Sequence, residues 1–355
     1  MRVKVKNLEE GSILAESIYK ATNWPIINKN TVLTNLHISV LKAFFIKDVE
    51  IDDSRYSASS RKETEKEDEI EIIFHEHFSN MVNRFKREFQ CWQAGLPVDI
   101  AKARNILIPF LQNPKFNNCN LFSLHLLSVK TEFLYQHSVA VGLLCGSIAK
   151  KLHYSNGDIV QAALAGLLAD CGMARINPSI LKKTTILINE EITEIKKHPI
   201  HSLDLLKNTA LLRDETKLAI YQHHERLDGS GYPAAADNSK LHRFAKIIAV
   251  ADTYHAMTSE RFYNEKQHPY KVLEMLLHDY FGKFDLKVIK ALANCIITYS
   301  IGSIVQLSNG ETGKIIFINE KAPTRPLIKK ANGDIMNLET QRGLYIEKEI
   351  KHIKI

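Results

Sequence analysis

The stretch DIVQAALAGLLADCG, residues 158–172, decides how the middle of this 355-residue chain is read. Asp170 follows eight apolar or small residues in a row, so the segment predicts a core helix that ends on an acid. An ionised carboxylate in such surroundings is costly unless something pairs with it, and a cation is one good partner. AVADTY sets Asp252 in the same kind of environment. Around these lie SVAVGLLCGSIAKKL (138–152), DETKLAIYQHHERL (214–227) and RFAKIIAVADTYHAMTSE (243–260). All are long amphipathic segments with few β signals, joined by short loops, as in a compact helical bundle. The fold class expected is mainly α, with the bundle core over 121–298.

The flanks read differently. Residues 1–53 mix short β-like runs (MRVKVKN, SILAESIY, PIINKNTVL, DVEIDD) with the helical HISVLKAFF, which predicts a small α+β domain. Residues 54–69 are polar and charged, a linker or an exposed helix start. The span 70–120 predicts connecting helices, broken at AGLPVD. From 299 to 355, short alternating runs separated by Asn-Gly turns predict a small β domain, with a closed barrel as one arrangement.

Bulk numbers narrow the function classes. At this length two or three domains are expected. The net charge of +7 is spread among interspersed acids and bases, with no basic stripe and no interleaved aromatics, so nucleic acid is not an expected partner. No stretch of roughly 18 apolar residues is free of charge, which argues against a membrane span. The N-terminus MRVKVKNLEEGS is basic, but its acids come before any apolar run, so it does not read as a signal peptide. The five cysteines are scattered, with no CxxC pair, which favours a reducing cytoplasm and argues against a cysteine zinc site.

The fifteen histidines carry more information because some cluster. In HHERLDGSGYP, residues 223–233, two adjacent imidazoles precede a loop dense in glycine and proline. On a helix His223 and His224 differ by about 100° in direction, so they can serve different positions around one centre near the helix end. Read with His137, Asp170, His198 and Asp252, they form a set of imidazoles and carboxylates suited to Fe, Mn, Zn or Ni. Two such ions roughly 3.5–4 Å apart clamp an in-line phosphoryl displacement. Taken one at a time the same residues have plainer explanations: a lone buried histidine usually bonds a carbonyl, and Asp252 could pair with Arg261. A bundle whose polar cluster only satisfies itself is the plain reading of the whole set.

HHERLDGSGYP, together with YQHSVAVG, LLADCGMARI, KKHPIHSLDLL and IAVADTYHAMTSERFYN in that order, resembles the HD-GYP family of metal-dependent phosphodiesterases, a branch of the HD hydrolase superfamily. The resemblance covers about 125–298 and implies a helical domain acting on cyclic di-GMP. It implies His137, Asp170 and Asp252 as ligands of a first divalent metal. Asp170 would bridge to a second held by His198, His223 and His224. It further implies Tyr232 and Gly231 in a substrate-side loop and Arg261 against a substrate phosphate.

The departures fall at the chemistry. Where the family carries His-Asp followed by Gly-Lys, this chain reads Ala169-Asp170-Cys171-Gly172-Met173, which removes an imidazole and a cation. His255 stands where a second Asp is usual, and Asn264 where a basic residue is common. Phe133 replaces a carboxylate used by trinuclear members. Cys171 or His255 are the residues that could substitute at the first metal, and one ion on Asp170, His198, His223 and His224 is a second way for the site to persist.

The expectation is therefore a cyclic di-GMP signalling protein with a degraded site holding one or two ions. It would be weakly active or inactive, and would work by binding ligand or partner. The alternative is an active phosphodiesterase releasing linear pGpG or GMP. The partners expected are cyclic di-GMP or a related cyclic dinucleotide, a diguanylate cyclase or other signalling protein, and a second copy of the chain.

Overall fold

The computed structural model describes residues 2–8, 11–19, 25–44, 46–52, 59–113, 121–261, 265–319 and 322–350, with the backbone alone for residues 35, 52 and 59–72. Cys119, Asn264 and residues 54–58 of the expected linker lie outside the described residues. The chain divides into two compact units, one formed by Met1–Asp68 with Ile297–Ile355 and the other by Glu69–Ile296.

In the first unit, β1 (Arg2–Lys4), β2 (Ile13–Leu14), helix α1 (Asn35–Ala43) and β3 (Asp48–Asp52) form a small α+β layer. Its antiparallel order is β1-β3-β2. Leu14, Ile27, Leu33, Leu41 and Val49 fill its core. Thr34 caps α1 by accepting from the His37 N–H, so the helix starts where a hydroxyl can satisfy a free donor.

Among the described residues eleven α-helices, α2–α12, follow, from α2 (Ser59–Gln93) and α3 (Ile100–Leu111) onward. Next come α4 (Phe133–Lys151), α5 (Asn156–Leu168), α6 (Pro178–Leu181), α7 (Asn189–Ile195), α8 (His198–Leu206) and α9 (Asp214–Tyr221). The last three are α10 (Arg243–Thr258), α11 (Pro269–His278) and α12 (Leu286–Ile296). The mainly α class is what the sequence predicts, with the long apolar segments as its central helices. From His137 to Ala149, α4 is buried except at Ser147, and α5 is buried from Gln161 to Leu168. Helices apolar on every side belong in an interior. Ser155 starts α5 by accepting from the Asp158 N–H. Asn156–Arg175 is long and apolar enough to cross a membrane by composition, a test that a buried core helix also passes; 72% of its most apolar window is buried in the bundle.

The chain returns to the first unit through β4 (Ile304–Leu307), β5 (Thr312–Phe317), β6 (Leu327–Lys330), β7 (Ile335–Asn337) and β8 (Ile346–Ile350). These pair antiparallel in the order β7-β6-β5-β4-β8, so among the described residues the sheet is open rather than a closed barrel. The Asn309-Gly310 and Asn332-Gly333 turns sit at its hairpins, with both glycines at positive φ.

Candidate metal centre

Five elements of the helical unit deliver ligands to one place. His137 comes from the first turns of α4, Asp170 from the end of α5 and His198 from the first residue of α8. His223 and His224 lie just beyond α9, and Asp252 lies within α10. Two groups of potential ligands result, each with its ligand atoms within 4.8 Å of one another: Asp170, His198, His223 and His224; and His137, Asp170 and Asp252. Asp170 belongs to both.

In the larger group, His198 Nε2 lies 3.0 Å from His223 Nε2 and 3.2 Å from Asp170 Oδ1. His223 Nε2 lies 3.6 Å from the same oxygen. Neighbouring donors around an ion at about 2.1 Å are separated by roughly 3.0–3.4 Å, so these are the edges of a coordination shell. The protonation pattern sharpens the point. His198 Nδ1 is 2.7 Å from the Ile195 carbonyl and His223 Nδ1 is 2.6 Å from the Ile220 carbonyl. A carbonyl only accepts, so both Nδ1 atoms donate. In neutral rings both Nε2 atoms are then lone pairs facing each other and a carboxylate oxygen. That arrangement calls for a cation between them. The plain explanation for a buried histidine, a bond to a backbone carbonyl, is true here of Nδ1 and leaves Nε2 unexplained.

The smaller group is engaged differently. His137 Nε2 approaches Asp252 Oδ1 at 2.8 Å and Asp170 Oδ2 at 3.7 Å. Its other nitrogen, Nδ1, lies 3.0 Å from His255 Nδ1. His255 therefore backs His137 from the side away from the carboxylates and continues to the Ser259 hydroxyl at 3.2 Å. Cys171 Sγ turns to the Ser202 carbonyl, 4.0 Å away, and burial pushes its thiol up to about 12. Among the described residues neither Cys171 nor His255 joins either group of potential ligands. Ala169 is buried and offers only a methyl group.

Electrostatics follow the geometry. Burial works to raise Asp170, but the close imidazoles of His198 and His223, with that of His137 beyond them, hold it well below the usual carboxylate range. Asp252 is held low in the same way by His137 and His224, again against burial. Burial first, then the charge of His223, drives His224 well below its ordinary value. His255 is likewise lowered, by burial and then by His137. Neutral imidazoles beside ionised carboxylates are the state that binds a cation.

Around the ligands, the Tyr232 ring stacks on His224 with centroids 4.7 Å apart. Gly231 has no room for a side chain, since a Cβ there would lie 2.5 Å from the His224 carbonyl oxygen. The Arg261 guanidinium lies 4.5 Å over the Phe133 ring, which packs on His137 at 5.0 Å. No ion pair joins Arg261 to Asp252 among the described residues. Arg261 Nε is buried without a hydrogen-bond partner, an orphan donor near the ligand cluster.

Sequence reasoning passed over two residues that build the site. Glu225 is 1% exposed and accepts from the Ala234 and Ala236 N–H groups at 2.6 and 3.0 Å, tying down the loop that carries Tyr232. An acid directly after a histidine pair and before a run of backbone donors was the available signal. Ser202 donates to the Ala169 carbonyl at 2.7 Å and accepts from the Gly172 N–H at 2.8 Å, fixing the turn that presents Asp170.

Residues 123–288 match the sequence model of the HD domain. The chain is 29% identical over 245 residues to the cyclic di-GMP phosphodiesterase PA4108 of Pseudomonas aeruginosa, covering 68% of this chain and 58% of that protein. It is 31% identical over 168 residues to the 3'3'-cGAMP-specific phosphodiesterase 1 of Vibrio cholerae, covering 46% and 38%. The chain thus spans little more than half of the first relative and less of the other. Among solved structures, Bd1817, an HDG"Y"P protein from Bdellovibrio bacteriovorus, aligns over 82% of this chain and 97% of its own with a TM-score of 0.47 and 17% identity.

Proposed function

We propose that this protein is an HD-GYP-type member of cyclic di-GMP signalling. In this reading it holds one divalent ion firmly on Asp170, His198, His223 and His224, and binds a cyclic dinucleotide beside Tyr232, Gly231 and Arg261. Hydrolysis is slow or absent. The carrying observation is the pair of facing Nε2 atoms of His198 and His223, both with their Nδ1 atoms committed to carbonyls. The donor set fits Fe, Mn, Zn or Ni. Such an ion supplies Lewis-acid polarisation of a phosphate oxygen. Asp170 reaches toward both groups with its two oxygens. Arg261 brings a half-buried guanidinium whose buried Nε has no hydrogen-bond partner, suited to a phosphate oxygen.

Three features support impaired turnover. Ala169 leaves the smaller group with three protein donors. His255 and Cys171 are turned to other partners. Met173 puts a thioether where a cation would offset charge at the reacting phosphate, and losing such a charge costs on the order of 3–4 kcal/mol of barrier by analogy with a lost oxyanion donor. The second reading, an active phosphodiesterase releasing pGpG or GMP, is favoured by the His137, Asp170 and Asp252 donors that remain close together.

Metal content and cyclic di-GMP turnover of the purified chain in Mn²⁺ or Fe²⁺ separate the readings. One ion per chain, saturable binding of cyclic di-GMP and little product is the expected result. Two ions with linear product formation would establish the active enzyme. No metal and no ligand binding would leave only a self-satisfied polar cluster.

A further inference from the structure

The turn that carries Met173 is in direct contact with the start of α8. A Cβ on Gly172 would lie 2.2 Å from the His198 carbonyl oxygen and 2.4 Å from the Ser202 nitrogen, so the two backbones meet with no side chain between them. A cation contributed from the α7–α8 junction can therefore serve the same neighbourhood as one from residue 173. Lys196 occupies that junction, at the C-terminal cap of α7 and two residues before His198. Its Nζ lies over the Tyr232 ring, 5.5 Å from the centroid, and that ring stacks on the ligand-group residue His224. A ring face within about 6 Å attracts an ammonium group and restrains where it points.

The neighbouring charges make Lys196 distinctive. Lys197 pairs with Glu194 at 2.7 Å, and Lys183 pairs with Glu191 at 2.7 Å. Among the described residues no carboxylate pairs with Lys196. Its ammonium is solvent-exposed and lies at the aromatic wall of the ligand cluster. Arg261 stands over Phe133, which packs against His137 of the smaller group. The two cations thus flank different ligand groups.

We propose that Lys196 is a phosphate-recognition residue of this site, supplying from the α7–α8 junction the positive charge that residue 173 does not. The assignment rests on the cyclic-dinucleotide reading above. It makes Lys196 a binding residue, and its effect belongs in ligand affinity.

The test is the Kd of cyclic di-GMP for the Mn²⁺-loaded full chain, measured by calorimetry for wild type, Lys196→Met, Lys196→Arg and Lys197→Met. Metal content and circular dichroism accompany each variant. Removing a charge-assisted contact to phosphate should raise Kd on the order of tenfold or more in Lys196→Met and weaken its salt dependence. Lys196→Arg should stay near wild type, and Lys197→Met should bind as wild type does. If wild type binds and Lys196→Met binds equally well with full metal, the assignment is overturned while the functional reading stands. If wild type does not bind cyclic di-GMP, the functional reading falls and takes this assignment with it.

Discussion

The two halves of the ligand cluster differ in what their nitrogens already do. On the His198–His223 side, each Nδ1 is fixed by a carbonyl and each Nε2 is bare, facing its neighbour. On the His137 side, Nε2 meets Asp252 and Nδ1 meets His255, so both nitrogens have protein partners without any ion. One side is incomplete until a cation arrives. The other has relaxed into a hydrogen-bonded chain running from Asp252 through His137 and His255 to Ser259. The two ligand groups thus differ, one with imidazole nitrogens facing each other and one paired within itself.

The largest effect should come from restoring what the weaker side lacks. Ala169→His combined with Met173→Lys should raise metal content from one ion to two and increase cyclic di-GMP turnover on the order of 10²-fold or more. A second ion without added turnover would show that the defect lies elsewhere than in these two residues. Next in size is the contrast between the halves. His223→Ala should lower metal affinity by more than about 100-fold, beyond the range typical of outer partners. His137→Ala should leave the ion on Asp170, His198, His223 and His224 in place, as read by chelator competition. Equal losses in both variants would refute the asymmetry.

The smallest effect is in pH dependence of the metal-free protein. His224 and His255 have folded-state values below the unfolded value of about 6.5. As pH falls below that point the unfolded chain takes up protons that the folded chain refuses, so stability drops by up to about 1.4 kcal/mol per pH unit for each histidine. Asp170 and Asp252 have depressed folded values. Their contribution is present above the ordinary carboxylate value and is lost as pH falls through it toward the folded one. Urea midpoints at pH 7.5 and 5.5 should therefore differ, with the acid sample less stable. A flat profile across that interval would remove the argument for buried neutral imidazoles.

Much of this molecule was legible in its sequence because burial writes itself into apolar runs. The segments 138–152 and 158–172 become the central helices α4 and α5, and the acid closing the second lies in both ligand groups. His137, His198, His223, His224 and Asp252 are drawn together from separate helices, as the motif spacing suggested. What spacing does not encode is side-chain direction. His255 and Cys171 lie near the right positions along the chain, yet one faces the back of His137 and the other a carbonyl on α8. Glu225 and Lys196 escaped notice for a related reason, since their roles depend on a loop folding back and on a ring lying beside an ammonium. The C-terminal hairpins were visible from their Asn-Gly turns, but openness of the sheet depends on which strands pair at its edges.

Glu225 has a consequence for transplanting this motif. Its two oxygens tether the loop at Ala234 and Ala236, while His224 just before it is stacked by Tyr232 from within that same loop. His224 and the Tyr232 ring are therefore held in one arrangement through a single acid. A graft that copied the two histidines and the glycine-tyrosine-proline tip but dropped this glutamate would carry the letters of the motif and lose its shape.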